Sequence, residues 1–360
     1  MTEQQSAVLH GRHVDVLLGA LDRLRDTGPE YGGFLANHGP MAADAIIRLG
    51  GHDKVEDWVD RYRAKLLPRV PGRNAVSSHN WMHHLGDVRA LGDWNEHFTH
   101  ATAEHDWREV LEMWWPRLLP GAAASAAHGL IRTTHAVRNL AEADRDEPLL
   151  VDELAGGLAY WAARYQLLPG APGLAGGLNG IEATARLPRL PVSAASVGPG
   201  VGGRLTALIQ IRELPDALDR WGPAPGAASA LDEIIGAAAR VLAARDNDPI
   251  ALCHAVTAPA AVQMILPSLP PDLHDATVAA TWQVTASIIS AFAAPPHAAE
   301  RSAADQQTPD RAELARTALA HGDEHVIKLT EAALRQHGRT GDPTLLIAAE
   351  RFHHRIEVRP

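Results

Sequence analysis

The 360-residue chain is poor in several things at once: it has one cysteine, three lysines, four phenylalanines and four tyrosines. Cys253 alone excludes an internal disulfide, and its apolar neighbours raise the thiol pKa, which favours a structural cysteine over a nucleophile. No apolar run approaches the roughly 18 residues that a membrane-spanning helix needs. Met1 to Val8 is polar and lacks the basic and then apolar regions of a leader. With 33 Lys plus Arg against 43 Asp plus Glu and a net charge of −10, there is no basic excess to meet phosphate backbones or anionic lipid. The expectation is a soluble cytoplasmic protein with no nucleic-acid and no membrane partner.

What is present begins with hydrophobic residues at 46% of the chain, enough for a sizeable core. Thirty of the 33 basic residues are arginine, so Lys54, Lys65 and Lys328 stand out. Arginine cannot be deprotonated in a protein, whereas a buried lysine can become a neutral amine. Histidine occurs 20 times.

Apolar residues repeat at three and four positions almost throughout, the amphipathic helix pattern. The spacing predicts helices over 7–24, 42–49, 55–66, 107–118, 122–140, 151–167, 204–218, 228–244, 250–266, 276–292, 311–320, 325–334 and 343–352. No strand ladder is visible, and the predicted fold class is all-α. Asn37-His38-Gly39-Pro40 and Asp248-Pro249 read as helix starts. A Gly/Pro-rich excursion over about 169–203 interrupts the pattern, a length that marks a lid or a linker. Neither half shows an internal repeat, so residues 1–360 are read as a single compact multi-helix domain. A second mobile stretch is expected over 294–309.

The sharpest local signal is Asp323-Glu324-His325-Val326-Ile327-Lys328-Leu329. Spacing of three puts His325 and Lys328 on one helix face beside Leu329 and Ala332. One reading is a snorkelling lysine beside a core histidine. The other is a metal site in which a buried amine reacts with carbon dioxide to give a carbamate, an anionic oxygen donor. His38, His128 and His254 lie in apolar helical segments and are the natural partners. A rival cluster of His79, His83, His84, His97, His100 and His105 is mixed with acidic and amide residues and reads as solvated or loop surface. The i, i+4 pair His79 and His83 lacks the glutamate of the zinc-protease helix. No phosphate loop, nucleophile elbow or dinucleotide fingerprint is present. Of the nine tryptophans most read as core, with some able to wall a flat aromatic substrate.

The segments Phe34-Leu35-Ala36-Asn37-His38, His128-Gly129-Leu130-Ile131-Arg132, His254-Ala255-Val256-Thr257 and Asp323-Glu324-His325-Val326-Ile327-Lys328 together resemble the questin oxidase-like family, over about Gly33 to Arg351. The resemblance implies an all-α oxygenase acting on anthraquinone-like polycyclic polyketides, inserting oxygen next to a carbonyl or cleaving a ring carbon–carbon bond. It implies Fe(II) held by His38, His128, His254, His325 and a carboxylated Lys328, with dioxygen as co-substrate and NADPH use open. His325 and Lys328 are the residues assigned a catalytic role. Where fungal members have a second histidine four residues after His128, this chain has Arg132, with His135 a turn later. Arg132 and His135 are therefore read as substrate-binding, and so is Trp282, one of the tryptophans able to wall a flat aromatic substrate. Four neutral imidazoles and one carbamate leave a single octahedral position on Fe(II) for dioxygen or a substrate phenolate. The competing readings are a metal-dependent hydrolase and a non-catalytic helical polyketide-binding protein.

Overall fold

The computed structural model describes residues 3–191, 193–198, 200–294 and 307–357, with the backbone alone over 3–10. Among them are α1 (Glu3–Leu24), a two-stranded hairpin of β1 (Glu30–Tyr31) and β2 (Leu35–Ala36), α2 (Gly39–Arg48), α3 (Val55–Arg63), α4 (Trp81–His84), α5 (Leu91–Glu104) and α6 (Trp107–Leu118). They continue with α7 (Ala124–Glu142), α8 (Pro148–Ala163), α9 (Gly180–Ala185), α10 (Gly200–Thr206), α11 (Leu214–Leu218) and α12 (Ala227–Ala244). The last are α13 (Pro249–Ile265), α14 (His274–Phe292), α15 (Arg311–His321), α16 (Glu324–Thr340) and α17 (Thr344–Arg355). The fold is all-α, and the antiparallel hairpin is the only sheet among the described residues.

At the centre is α13, which packs against α7, α12, α14 and α16. Its sequence corrects one expectation: Pro249–Ser268 is long and apolar enough to span a bilayer, with mean hydropathy 1.5. Yet 83% of that window is buried, because a helix surrounded by other helices is apolar on every side. Beside it α7 and α8 lie in unusually close contact. A Cβ on Gly129 would come within 2.5 Å of the Trp161 Cα, so only glycine allows this approach. The buried apolar side chains form one contiguous cluster reaching from Leu17 on α1 to Phe352 on α17.

The predicted 204–218 helix is broken into α10, a 3-10 turn over 207–210 and α11. Here α10 starts inside the glycine run, and a Cβ on Gly203 would lie 2.0 Å from the Gly198 carbonyl oxygen. The 169–203 excursion is only partly irregular, since Asn179 and Glu182 form a reciprocal cap that starts α9. Unpredicted α5 buries Asp93 and Asn95, polar residues that hide its apolar stripe. Asp93 is satisfied there by the backbone N–H groups of Arg73 (2.5 Å) and Asn74 (2.8 Å). Most of the 294–309 stretch lies outside the described residues.

Candidate metal centre

Four helix starts converge on one point. His38 is the N-cap of α2, with Pro40 in the first turn as the sequence predicts, and its backbone N–H donates to the Tyr62 hydroxyl at 2.8 Å. His325 is in the first turn of α16, where the Asp323 carboxylate accepts from the N–H groups of His325 (2.8 Å) and Val326 (3.2 Å). Lys328 follows one turn on. His254 comes from α13. His128 follows Ser125, Ala126 and Ala127, which have φ of 48°, 58° and 66°. Three consecutive non-glycine residues in the left-handed region are strained by roughly 1–2 kcal/mol each. That turn points the Ser125 carbonyl at His128 Nδ1.

The rings are close. His38 Nε2 and His128 Nε2 are 2.7 Å apart, and His128 Nε2 and His254 Nε2 are 2.9 Å apart. The His325 ring lies 4.5 Å from that of His38 and 5.5 Å from that of His254, centroid to centroid. Outward-facing nitrogens settle the tautomers. His128 Nδ1 is bonded to the Ser125 carbonyl and His254 Nδ1 to the Ile250 carbonyl at 2.7 Å, so both must carry the proton on Nδ1. Their Nε2 lone pairs then face each other, and no proton remains to join them. A cation between them would resolve the conflict, and donors about 2.1 Å from a metal in adjacent octahedral positions are themselves about 3 Å apart. The observed spacing fits that arrangement.

Electrostatics agree. Burial first, and then Lys328 and the neighbouring histidines, hold His38, His128 and His254 well below the ordinary imidazole range, in the neutral form that binds metals. Lys328 Nζ is buried and has no hydrogen-bond partner among the described residues. Burial lowers its pKa to about 8. An unpartnered amine in the interior is a costly arrangement, and carboxylation or metal binding would remove the cost. Asp323 caps α16 and also lies 3.5 Å from His325 Nδ1. Burial alone would raise the Asp323 carboxyl, but its bonds to His325 and to the helix N–H groups hold it at about 2.

His38, His128, His254, Asp323 and His325 form one wall of a cavity of about 460 Å³, and Lys328 lies behind them, outside its lining. Its other walls include Tyr31, Phe34, Tyr165, Val197, Val201 and Ile250. Only the end of the Gly/Pro-rich excursion, from Val197 onward, borders it.

The structure places the three expected substrate contacts away from this cavity, for none of them lines it. Arg132 is mostly covered, 12% exposed, against α8, where its Nε and Nη2 each lie 2.6 Å from Glu153, as a sheltered guanidinium requires a carboxylate. His135 Nδ1 is 2.7 Å from Asp44 inside a charged network. Trp282 is fully buried, packs on Trp221 and donates to the Leu218 carbonyl at 3.0 Å. In the rival cluster His79, His83, His100 and His105 are exposed, as expected, while His84 and His97 are half-buried. The expected loop is instead largely α4 and α5. Cys253 is buried and its thiol is pushed up to about 12, in keeping with a structural role.

Sequence reading missed Glu30, Ser125, Tyr160 and Arg164, which form a hydrogen-bonded chain behind His128. Glu30 Oε1 accepts from Tyr160 Oη (2.9 Å) and Arg164 Nε (2.7 Å), and Tyr160 Oη is 2.7 Å from Ser125 Oγ. Nothing local marks them, since they lie on three separate elements. Comparison with known protein families finds no match to the chain, and comparison with curated protein sequences finds none either.

Proposed function

We propose that the chain is a non-haem iron-dependent oxygenase of a polycyclic aromatic polyketide, with iron held by His38, His128, His254, His325 and a carboxylated Lys328. The observation that carries the reading is the His128 Nε2 lone pair facing both His254 Nε2 and His38 Nε2, with the His128 and His254 tautomers fixed from behind, beside a buried lysine that has no partner among the described residues. Zinc sites close with four ligands or work with three, so five protein donors favour a six-coordinate metal, and the resemblance selects iron. When bound, iron would supply the redox activation of dioxygen.

The chain's own residues do the rest. Ser125 and Ile250 orient the imidazoles through their carbonyls, as outer partners do in metal sites. Phe34, Tyr165, Val197 and Ile250 offer apolar and aromatic surface to a flat ring system and exclude water. In this reading the substrate supplies electrons through its ionised phenol, and the effect of added NADPH on oxygen uptake decides whether a further reductant takes part.

Elemental mass spectrometry on untagged, freshly purified protein, followed by oxygen uptake with a hydroxylated anthraquinone, tests the proposal. Near-stoichiometric iron with substrate-dependent uptake is the expected result. Zinc alone would replace it with a metal-dependent hydrolase. Absence of metal after anaerobic Fe(II) and bicarbonate would leave a polyketide-binding protein.

A further inference from the structure

A phenolate entering this cavity needs a positive partner. Five protein donors would leave the metal one position, too few for dioxygen and a substrate oxygen together, so the counter-charge must come from the wall. Asp323 and Glu324 border the cavity and repel an anion. Among the described residues, Arg164 is the one guanidinium or ammonium group that lines it.

Arg164 is built in rather than draped. It follows the end of α8, and Glu30 holds it side-on, with Nε at 2.7 Å and Nη2 at 2.5 Å. That pairing fixes the guanidinium plane and leaves Nη1 without an acceptor among the described residues. The Arg164 side chain is 28% exposed and its partner Glu30 14% exposed, so the guanidinium keeps accessible surface while its carboxylate partner is sheltered. Through Glu30, Tyr160 and Ser125 it is tied to the turn that aims His128.

We propose that Arg164 Nη1 is the recognition point for an aromatic oxyanion, the ionised phenol of a polycyclic substrate. A fixed guanidinium prefers a phenolate to the neutral phenol, so it selects the electron-rich form and sets which edge of the ring system faces the histidines. The assignment rests on the aromatic-substrate reading above and goes beyond it by naming the group that binds the phenolate.

The test is an anaerobic titration of iron-loaded protein with a monohydroxyanthraquinone, whose visible band shifts on ionisation, and with its O-methyl ether. The wild-type chain should bind the hydroxy probe as phenolate at a pH where the free probe is protonated. Arg164→Met should abolish that band and weaken the hydroxy probe about tenfold, with the methyl ether unaffected. Glu30→Gln should keep the band, because the cation remains and loses its competitor. A phenolate band that survives in Arg164→Met overturns the assignment. So does an equal weakening of both probes in Arg164→Met and Glu30→Gln, the signature of a pair that only braces the hairpin. Wild-type protein that binds neither probe overturns it together with the aromatic-substrate reading. The probe comparison reads Arg164 equally in protein that takes up no iron, so failure of the iron centre is seen separately.

Discussion

His38 and His128 face each other with Nε2 atoms 2.7 Å apart and rings stacked at 24°. The Ser125 carbonyl claims the His128 proton, and His38 Nδ1 has no hydrogen-bond partner, its nearest carboxylate oxygen being that of Glu324 at 4.0 Å. With its proton held at Nδ1, His128 turns its Nε2 lone pair toward both His38 and His254, an arrangement that a shared cation would satisfy.

His128→Ala should therefore lose iron. Outer-shell changes alone weaken metal sites roughly 10- to 100-fold, and removal of the central donor should cost at least as much. Metal content after dialysis against a weak chelator measures it. A His128→Ala protein that retains stoichiometric iron would remove the histidine from the ligand set.

Lys328 should carry carbon dioxide. Protein equilibrated with 13C-labelled bicarbonate should show one carbamate carbon signal by NMR that is absent in Lys328→Met. Because the amine is buried without a partner, its replacement by methionine should make the metal-free protein more stable by about 1–3 kcal/mol, while iron binding and oxygen uptake fall. Unchanged uptake in the variant would end the carbamate proposal.

Gly129 should tolerate no side chain. The methyl of Gly129→Ala would meet the Trp161 backbone at 2.5 Å, on the helix that also presents His128. Overpacking of this kind destabilises by about 1–3 kcal/mol, and the midpoint of urea unfolding should drop accordingly.

Acid should unfold the protein through the carboxylates behind the histidines. Burial alone would raise the Asp44 and Glu331 carboxyls, but Arg138 and Arg48 beside Asp44, and Arg335 and Arg138 beside Glu331, hold both well below the usual range. A folded-state pKa below the unfolded one gives stability that is complete above about pH 4 and is lost as pH falls through the folded value. Unfolding free energy should thus drop steeply below that point. Asp44→Asn should lower stability at pH 7 by about 3–5 kcal/mol and flatten the acid limb. An unchanged acid limb in the variant would assign the pH dependence elsewhere.

Much of this protein could be read along the chain. Trp107–Leu118 is a helix over the predicted residues, and α12 to α14 begin within two residues of their predicted starts, because apolar spacing and proline caps act over a single turn. His325 and Lys328 share an inward face for the same reason. The misreadings have a common origin. Arg132 and His135 lie close to His128 in sequence and Trp282 offers a flat aromatic face, yet each is satisfied by a group on another helix: Glu153, Asp44 and the Leu218 carbonyl. Helix α5 lacks a visible apolar stripe because its buried face carries Asp93 and Asn95, and the backbone N–H groups that satisfy Asp93 come from the separate loop at Arg73 and Asn74.

The sequence by itself determined the all-α class, the main helix starts and the inward face of α16, since these follow from periodicity and from caps a few residues long. Only the tertiary structure decided that residues 38, 128, 254 and 325 meet, that a left-handed turn fixes the His128 tautomer, and that Arg164 and not Arg132 borders the cavity. Convergence of this kind depends on how α7, α8, α13 and α16 pack against one another, and those contacts join residues that no local pattern connects.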